Sequence, residues 1–167
     1  MESDKKDPGI DEGGATPADP TNLAGTVVAV CLSVAKGTGK VPVEEGKLIP
    51  DFGLEGDAHA GKWHRQVSLL DYGKVLDFNE KGAKVTHGDF GENILLTGLD
   101  LKSLPVGTRL KVGPATLEVT QIGKECHSHC QIFHRVGDCI MPREGIFAKV
   151  LSGGEIKAGD RAQILTG

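Results

Sequence analysis

Apolar residues in this chain come in short runs separated by glycine-bearing polar stretches, and most runs are too short for an ordinary helix. Residues 25–35, Gly-Thr-Val-Val-Ala-Val-Cys-Leu-Ser-Val-Ala, are rich in β-branched side chains. This predicts a buried first strand, with Cys31 inside it as a small core residue. A turn at Gly37-Thr38-Gly39-Lys40 leads to a short strand around 41–43. That turn lacks the glycine spacing of a phosphate loop and has Val41 where a magnesium-binding Ser or Thr belongs. Residues 67–70 predict a second buried strand. Asp71 then caps a short helix that presents Val75, Leu76 and Phe78 and stops at Gly82. Residues 95–104 read as a polar-apolar connection. Residues 108–112 and 115–122 alternate around Gly113-Pro114, the pattern of a hairpin. Residues 131–136 offer a turn or two of helix, and 145–151 a strand or short helix. Residues 156–166, turning at Gly159-Asp160, read as a closing strand. Many short strands, tight turns and one or two short helices predict a mainly β fold, a strongly curved barrel or half-barrel.

Composition sharpens the picture at the N-terminus. Residues 1–22 carry Pro, Gly, Asp and Thr without apolar periodicity, and hold six acids against two bases. They read as a disordered acidic leader, or the remains of a linker, in front of a single domain over 23–167. The net charge of −4 resides there, and the remainder balances 17 bases against 17 acids. With five Phe, one Tyr and one Trp, a neutral domain has no basic, aromatic-interleaved face for nucleic acid. No apolar run nears the roughly 20 residues of a membrane span, and no secretory signal precedes the domain. A cytoplasmic protein with its four cysteines largely reduced is expected.

The densest chemistry lies at Gly123-Lys-Glu-Cys-His-Ser-His-Cys130, at the end of the predicted strand 115–122. Cys126, His127, His129 and Cys130 fall within five residues. Thiolate is both a soft metal ligand and a strong nucleophile, so a metal site and a reactive cysteine compete here. Zinc suits the residue types, with His134, His59 or Cys139 as further ligands, but four ligands crowd into one short segment. A second polar concentration spans 48–70. Glycines at 53, 56 and 61 permit turns that let Asp57, His59 and Arg65 converge, with Asp57 and His59 on one side of an extended segment. The plain alternative is a surface loop with an Asp turn and a solvated His. Glu92 and Asn93, in Thr-His-Gly-Asp-Phe-Gly-Glu-Asn-Ile94, either line a pocket or tie the turn through side-chain hydrogen bonds. Cys139 is assigned to the core or a pocket wall.

Several segments, taken in order, resemble the MOSC domain, named for the C-terminal region of molybdenum cofactor sulfurase. They are Gly53-Leu-Glu-Gly-Asp-Ala-His59, His64-Arg-Gln-Val67, Gly88-Asp-Phe-Gly-Glu-Asn-Ile94, Gly123-Lys-Glu-Cys126 and Gly145-Ile-Phe-Ala-Lys-Val150. The resemblance runs over 23–165 and implies a curved β-barrel with a pocket for the molybdenum cofactor, a pterin bearing a phosphate and a dithiolene-bound metal. It implies that Cys126 carries a persulfide or ligates molybdenum. The family often has Pro before this cysteine, where this chain has Glu125, an acid that opposes thiolate formation. Lys124, His127 and His129 favour the anion. Cys130 is placed to release sulfide from Cys126 or to help hold a metal. Arg65 suits the terminal phosphate, and Gln66, Glu92 and Asn93 suit pterin edges. Asp57 and His59 suit orientation or proton transfer.

The expected function is therefore cofactor binding with sulfur carriage, served by a cysteine desulfurase or a molybdoenzyme as partner. The alternatives are a zinc-binding or structural interaction domain, and a molybdenum-dependent reductase of N-hydroxylated compounds. A nucleophilic hydrolase is set aside, because no base and orienting third group accompany Cys126.

Overall fold

The computed structural model describes residues 24–36, 38–123 and 144–165. The expected leader, Lys124, Cys126, His127, His129, Cys130, His134 and Cys139, and the expected helix at 131–136, lie outside the described residues.

The β-branched first run forms β1 (Ala24–Leu32), and Val41–Val43 forms the short β2 against its C-terminal half, pairing Val30 with Val43. β3 (Gly46–Ile49) and β4 (Gly53–Leu54) follow, then the fully buried β5 (Val67–Asp71). Asp71 caps α1 (Tyr72–Glu80) by accepting the Gly73 N–H, and Lys81 and Gly82 close the helix onto its last carbonyls. Ile94–Thr97 is β6, and residues 101–103 make one 3₁₀ turn. The hairpin forms as expected, β7 (Arg109–Val112) against β8 (Ala115–Ile122). The closing segments are β9 (Ile146–Ser152), β10 (Gly154–Ile156) and β11 (Arg161–Leu165).

Seven of these strands close a barrel in the order β1-β6-β5-β9-β8-β7-β11, with β11 returning to β1 through Arg161 opposite Thr26. Every pairing is antiparallel except β5–β6, the two strands that α1 connects. β10, β3 and β4 form a separate three-stranded sheet.

Two expectations are corrected. Residues 95–104 are not simply a connection, since Ile94–Thr97 is a central barrel strand. Ile94 and Leu96 belong to the barrel core, while Leu95 packs outward with Leu70, Val75 and Phe90 under the helix. A strand buried on both faces shows no alternation, so its pattern does not announce it. The sequence reading also placed no strands at Gly46–Ile49 and Gly53–Leu54. There Gly46 fits because an added Cβ would lie 2.7 Å from Leu54 and 2.8 Å from Val30. Cys31 lies in the outer cluster as expected, fully buried.

Candidate functional site

The loop between β4 and β5 carries Asp57, His59, Trp63 and Arg65, and it meets Phe147 of β9 and Thr120 of β8, which lie outside the barrel core. Its two ends are fastened by backbone geometry and by Gln66. Gly53 adopts φ 124°, and a Cβ there would come within 2.6 Å of the Gln66 carbonyl. Gln66 is fully buried. Its amide donates to Asp51 (3.1 Å) and its carbonyl oxygen accepts from the Val150 N–H (2.9 Å). The side chain thus extends the β5–β9 pairing by mimicking a strand, with Asp51 held at φ 53°.

Inside the loop, Asp57 and His59 do meet, and they meet at Lys40. The Lys40 ammonium is buried and lies 2.8 Å from Asp57 Oδ1, 3.1 Å from His59 Nδ1 and 3.3 Å from Ser33 Oγ. The Asp57 carboxylate also accepts the backbone N–H groups of Ser33 (3.1 Å) and His59 (3.0 Å). Burial raises its pKa, but the hydrogen bond and charge of Lys40 and the two N–H groups outweigh this and hold it below the usual range. An ammonium at Nδ1 makes that nitrogen an acceptor, so the neutral His59 ring carries its proton on Nε2. Sequence reasoning assigned Lys40 to a plain turn. Its only signal was a lysine after two glycines between apolar strands, which says nothing of burial.

Arg65 sits on the same loop in a different environment. Its guanidinium carbon is 4.7 Å from the centroid of Trp63 and 5.5 Å from that of Phe147. Among the described residues no carboxylate pairs with it, and its Nε is buried without a hydrogen-bond partner. Two aromatic rings hold this cation without neutralising it. Trp63 in turn donates its indole N–H to the His59 carbonyl (2.8 Å), which joins the Arg65 and Lys40 groups into one assembly.

The end of β8 is tied to this loop. Thr120 Oγ1 donates to the His64 carbonyl, and His64 Nε2 lies 2.7 Å from Gln121 Oε1. The Gln121 amide donates to the Gly123 carbonyl (2.7 Å), so its oxygen is the acceptor toward His64. Gly123 is the last described residue before Lys124 and Cys126.

Glu92 and Asn93 lie deeper, both fully buried. The Glu92 carboxylate accepts the N–H groups of Gly88 (2.7 Å) and Phe90 (3.2 Å). Burial pushes its pKa up to about 7, against the opposing effect of these N–H groups and with a further push from Asp89. Asn93 accepts from the Ser68 N–H (3.0 Å) and donates to the Cys31 carbonyl (3.0 Å), bridging β5 and β1. Of the two roles expected for this pair, these contacts are those of turn-tying. Burial pushes the Cys31 thiol up to about 12, with Glu92 adding to the effect, so it is the unreactive form.

The structure therefore brings together Asp57, His59 and Arg65 with Lys40 and Trp63, and places Gln66, Glu92 and Asn93 as ties beneath them. Among the described residues no three His, Cys, Asp or Glu side chains are grouped to hold a metal ion, and no helix is long and apolar enough to cross a membrane.

A sequence model of the MOSC domain matches residues 56–163. Among solved structures, the YuaD protein from Bacillus subtilis superposes with a TM-score of 0.72 at 16% identity, covering 85% of this chain and 96% of that one. YiiM from Escherichia coli gives 0.63 at 19%, covering 87% and 71%. YiiM from Geobacillus stearothermophilus gives 0.61 at 20%, covering 85% and 73%. At these identities the likeness is one of fold. No curated protein matches the chain in sequence.

Proposed function

Since the chain belongs to the MOSC domain family, we propose that it binds a molybdenum-type pterin cofactor, with Arg65 on the anionic group and Cys126 carrying sulfur. The observation that supports this reading most directly is Arg65, with which no carboxylate among the described residues pairs. A buried guanidinium nitrogen without a partner is costly unless a ligand supplies one. A phosphate is a matching partner, accepting the fork in bidentate fashion. The residues present thus fit the anionic end of such a cofactor.

Lys40 adds positive charge behind His59, although Asp57 offsets most of it. The exposed part of the imidazole offers a donor or a proton carrier toward the bound group. When bound, the cofactor supplies a dithiolene-held metal that accepts or exchanges sulfur. The protein's own part is to hold its anionic end and to keep a thiol near. Gly123 is tied to the Arg65 loop through Gln121 and His64. Cys126 follows Gly123 by three residues, a chain reach of at most about 11 Å, which supports pairing this thiol with the Arg65 loop. A cysteine desulfurase as sulfur donor, or a molybdoenzyme as acceptor, is the partner this chemistry calls for.

The test is metal content, pterin fluorescence and intact mass on freshly purified protein, comparing wild type with Arg65→Ala and Cys126→Ala. Arg65→Ala is expected to lose the pterin while remaining folded. Cys126→Ala is expected to lose an added sulfur while keeping the pterin. Stoichiometric zinc that disappears in Cys126→Ala would overturn the reading in favour of a Cys/His metal site.

A further inference from the structure

Trp63 has no place in the reading above except as a neighbour, yet both arms of the assembly run through it. Its indole N–H is committed to the His59 carbonyl at 2.8 Å, which fixes the ring plane and the His59 backbone together. On that ring rests the Arg65 guanidinium, 4.7 Å from the centroid, with Phe147 on the guanidinium at 5.5 Å. The Lys36 ammonium lies 5.9 Å from the same centroid. The His64 ring meets the indole edge-on at 5.8 Å, and His64 is the residue linked to Gln121 at the end of β8. One half-buried side chain therefore meets the His59 backbone, Arg65, Lys36 and His64.

Holding an arginine with an aromatic ring differs physically from holding it with a carboxylate. A carboxylate fixes the fork and cancels its charge, and a later anion must compete with it. A ring fixes the plane through its quadrupole and leaves the charge and the N–H donors available. Without the ring the guanidinium regains its rotamers, and an incoming anion must immobilise them at its own cost in affinity.

We propose that Trp63 is the positioning residue of the anion site, presetting Arg65 for the ligand and fixing the His59 backbone beside it. The proposal rests on the reading of Arg65 as an anion holder. It assigns Trp63 no contact with the ligand.

The experiment uses the full chain, freed of any co-purified pterin, and inorganic phosphate as probe. Proton–nitrogen NMR follows the Arg65 Nε–H, assigned by its loss in Arg65→Lys, in wild type, Trp63→Met and Trp63→Phe. Far-UV circular dichroism and a thermal melt establish that each variant is folded. Wild type should show an Arg65 Nε–H shifted by the rings before any phosphate is added, and a saturable further shift on titration. Trp63→Phe keeps a ring under the guanidinium and loses only the N–H to His59. It should retain the starting shift and bind phosphate within about threefold of wild type. Trp63→Met keeps bulk without a π face. It should lose the Trp63 part of the starting shift, keeping only what Phe147 supplies, and bind about tenfold more weakly. An Arg65 resonance unchanged in Trp63→Met, or unchanged phosphate affinity in that folded variant, overturns the positioning role alone. Should Trp63→Met not fold, Trp63→Phe decides, since loss of the starting shift despite a retained ring overturns the proposal. Wild type that does not respond to phosphate at all overturns the anion site itself, and Trp63's role in it falls too.

Discussion

Asp57 and Glu92 are both removed from water, and they respond in opposite directions. Asp57 has a lysine ammonium at 2.8 Å and two backbone N–H groups, so its folded form prefers the charge despite burial. Its contribution to stability is complete above the ordinary Asp range and is lost as pH falls through its lowered folded value. Glu92 has two backbone N–H groups from neighbouring residues and, among the described residues, no cation in contact, with Asp89 and the Cys31 thiol in its surroundings. Burial dominates and lifts it from 4.5 to about 7. The folded state then holds this proton more tightly than the unfolded state does. Stability from Glu92 is greatest below the unfolded value and declines as pH rises toward 7, by on the order of 3 kcal/mol in all. Glu92→Gln sets an amide nitrogen against a backbone N–H and carries a roughly constant penalty, but it has no proton to lose. Urea unfolding of both proteins from pH 4 to pH 8 is expected to show the wild-type advantage shrinking as pH rises. A difference independent of pH would mean that Glu92 has the same pKa in the folded and unfolded states. None of this was legible in the sequence. Both residues stood out as polar groups among glycines, but the sign of each effect depends on whether a cation reaches the carboxylate, and Lys40 reaches only one.

Among the elements that carry the site, the alternating hairpin and the fully buried β5 were both legible, and β6 was not. β7 and β8 alternate cleanly, and their hairpin was readable from the pattern around Gly113-Pro114. β6 was not, because Ile94 and Leu96 face the barrel core and Leu95 faces the helix. The segment before it, from Thr86 to Asn93, read as a turn. Its importance lies in what it docks against. Gly88 accepts the Lys40 N–H at 2.7 Å, has φ 88°, and lies so close to the Lys40 carbonyl that a Cβ would overlap it. Lys40 thus receives its position from a turn nearly fifty residues away. Gly88→Ala is expected to destabilise the protein by about 1–3 kcal/mol from backbone strain alone, with more from the displaced Lys40 backbone. Chemical denaturation measures the loss. The Lys40 ammonium should also move from Asp57, visible as a rise of the Asp57 carboxyl titration toward its ordinary value. Unchanged stability and an unchanged Asp57 titration would show that the two turns are not docked this tightly in solution.

At the scale of the molecule, residues 57–65 meet the end of β8 because β5 and β8 both flank β9, while the closed barrel that curves these strands depends on a pairing no local pattern discloses. The first and last described strands run together, with Ala24, Gly25 and Thr26 of β1 opposite Gln163, Ala162 and Arg161 of β11. Asp160 and Gly159 reinforce the seam by exchanging backbone hydrogen bonds with Val27, at 2.8 Å each. Residues 156–166 were read as a closing strand, and β11 lies within them, but that β1 is the strand it meets is a long-range fact. β11 also lies between β7 and β1, so its loss would expose two strand edges and open the core at Leu110, Val112 and Ala162. Deletion of residues 161–167 is therefore expected to abolish the cooperative thermal transition and to give a chain that aggregates, measured by differential scanning calorimetry and light scattering. The site at the other strands should fail with it, since β5, β8 and β9 keep their curvature only within a closed sheet. A truncated chain that still melts cooperatively and still binds the probe anion would show that the core around β5, β6 and β9 folds on its own, and that the seam serves only to cover its edges.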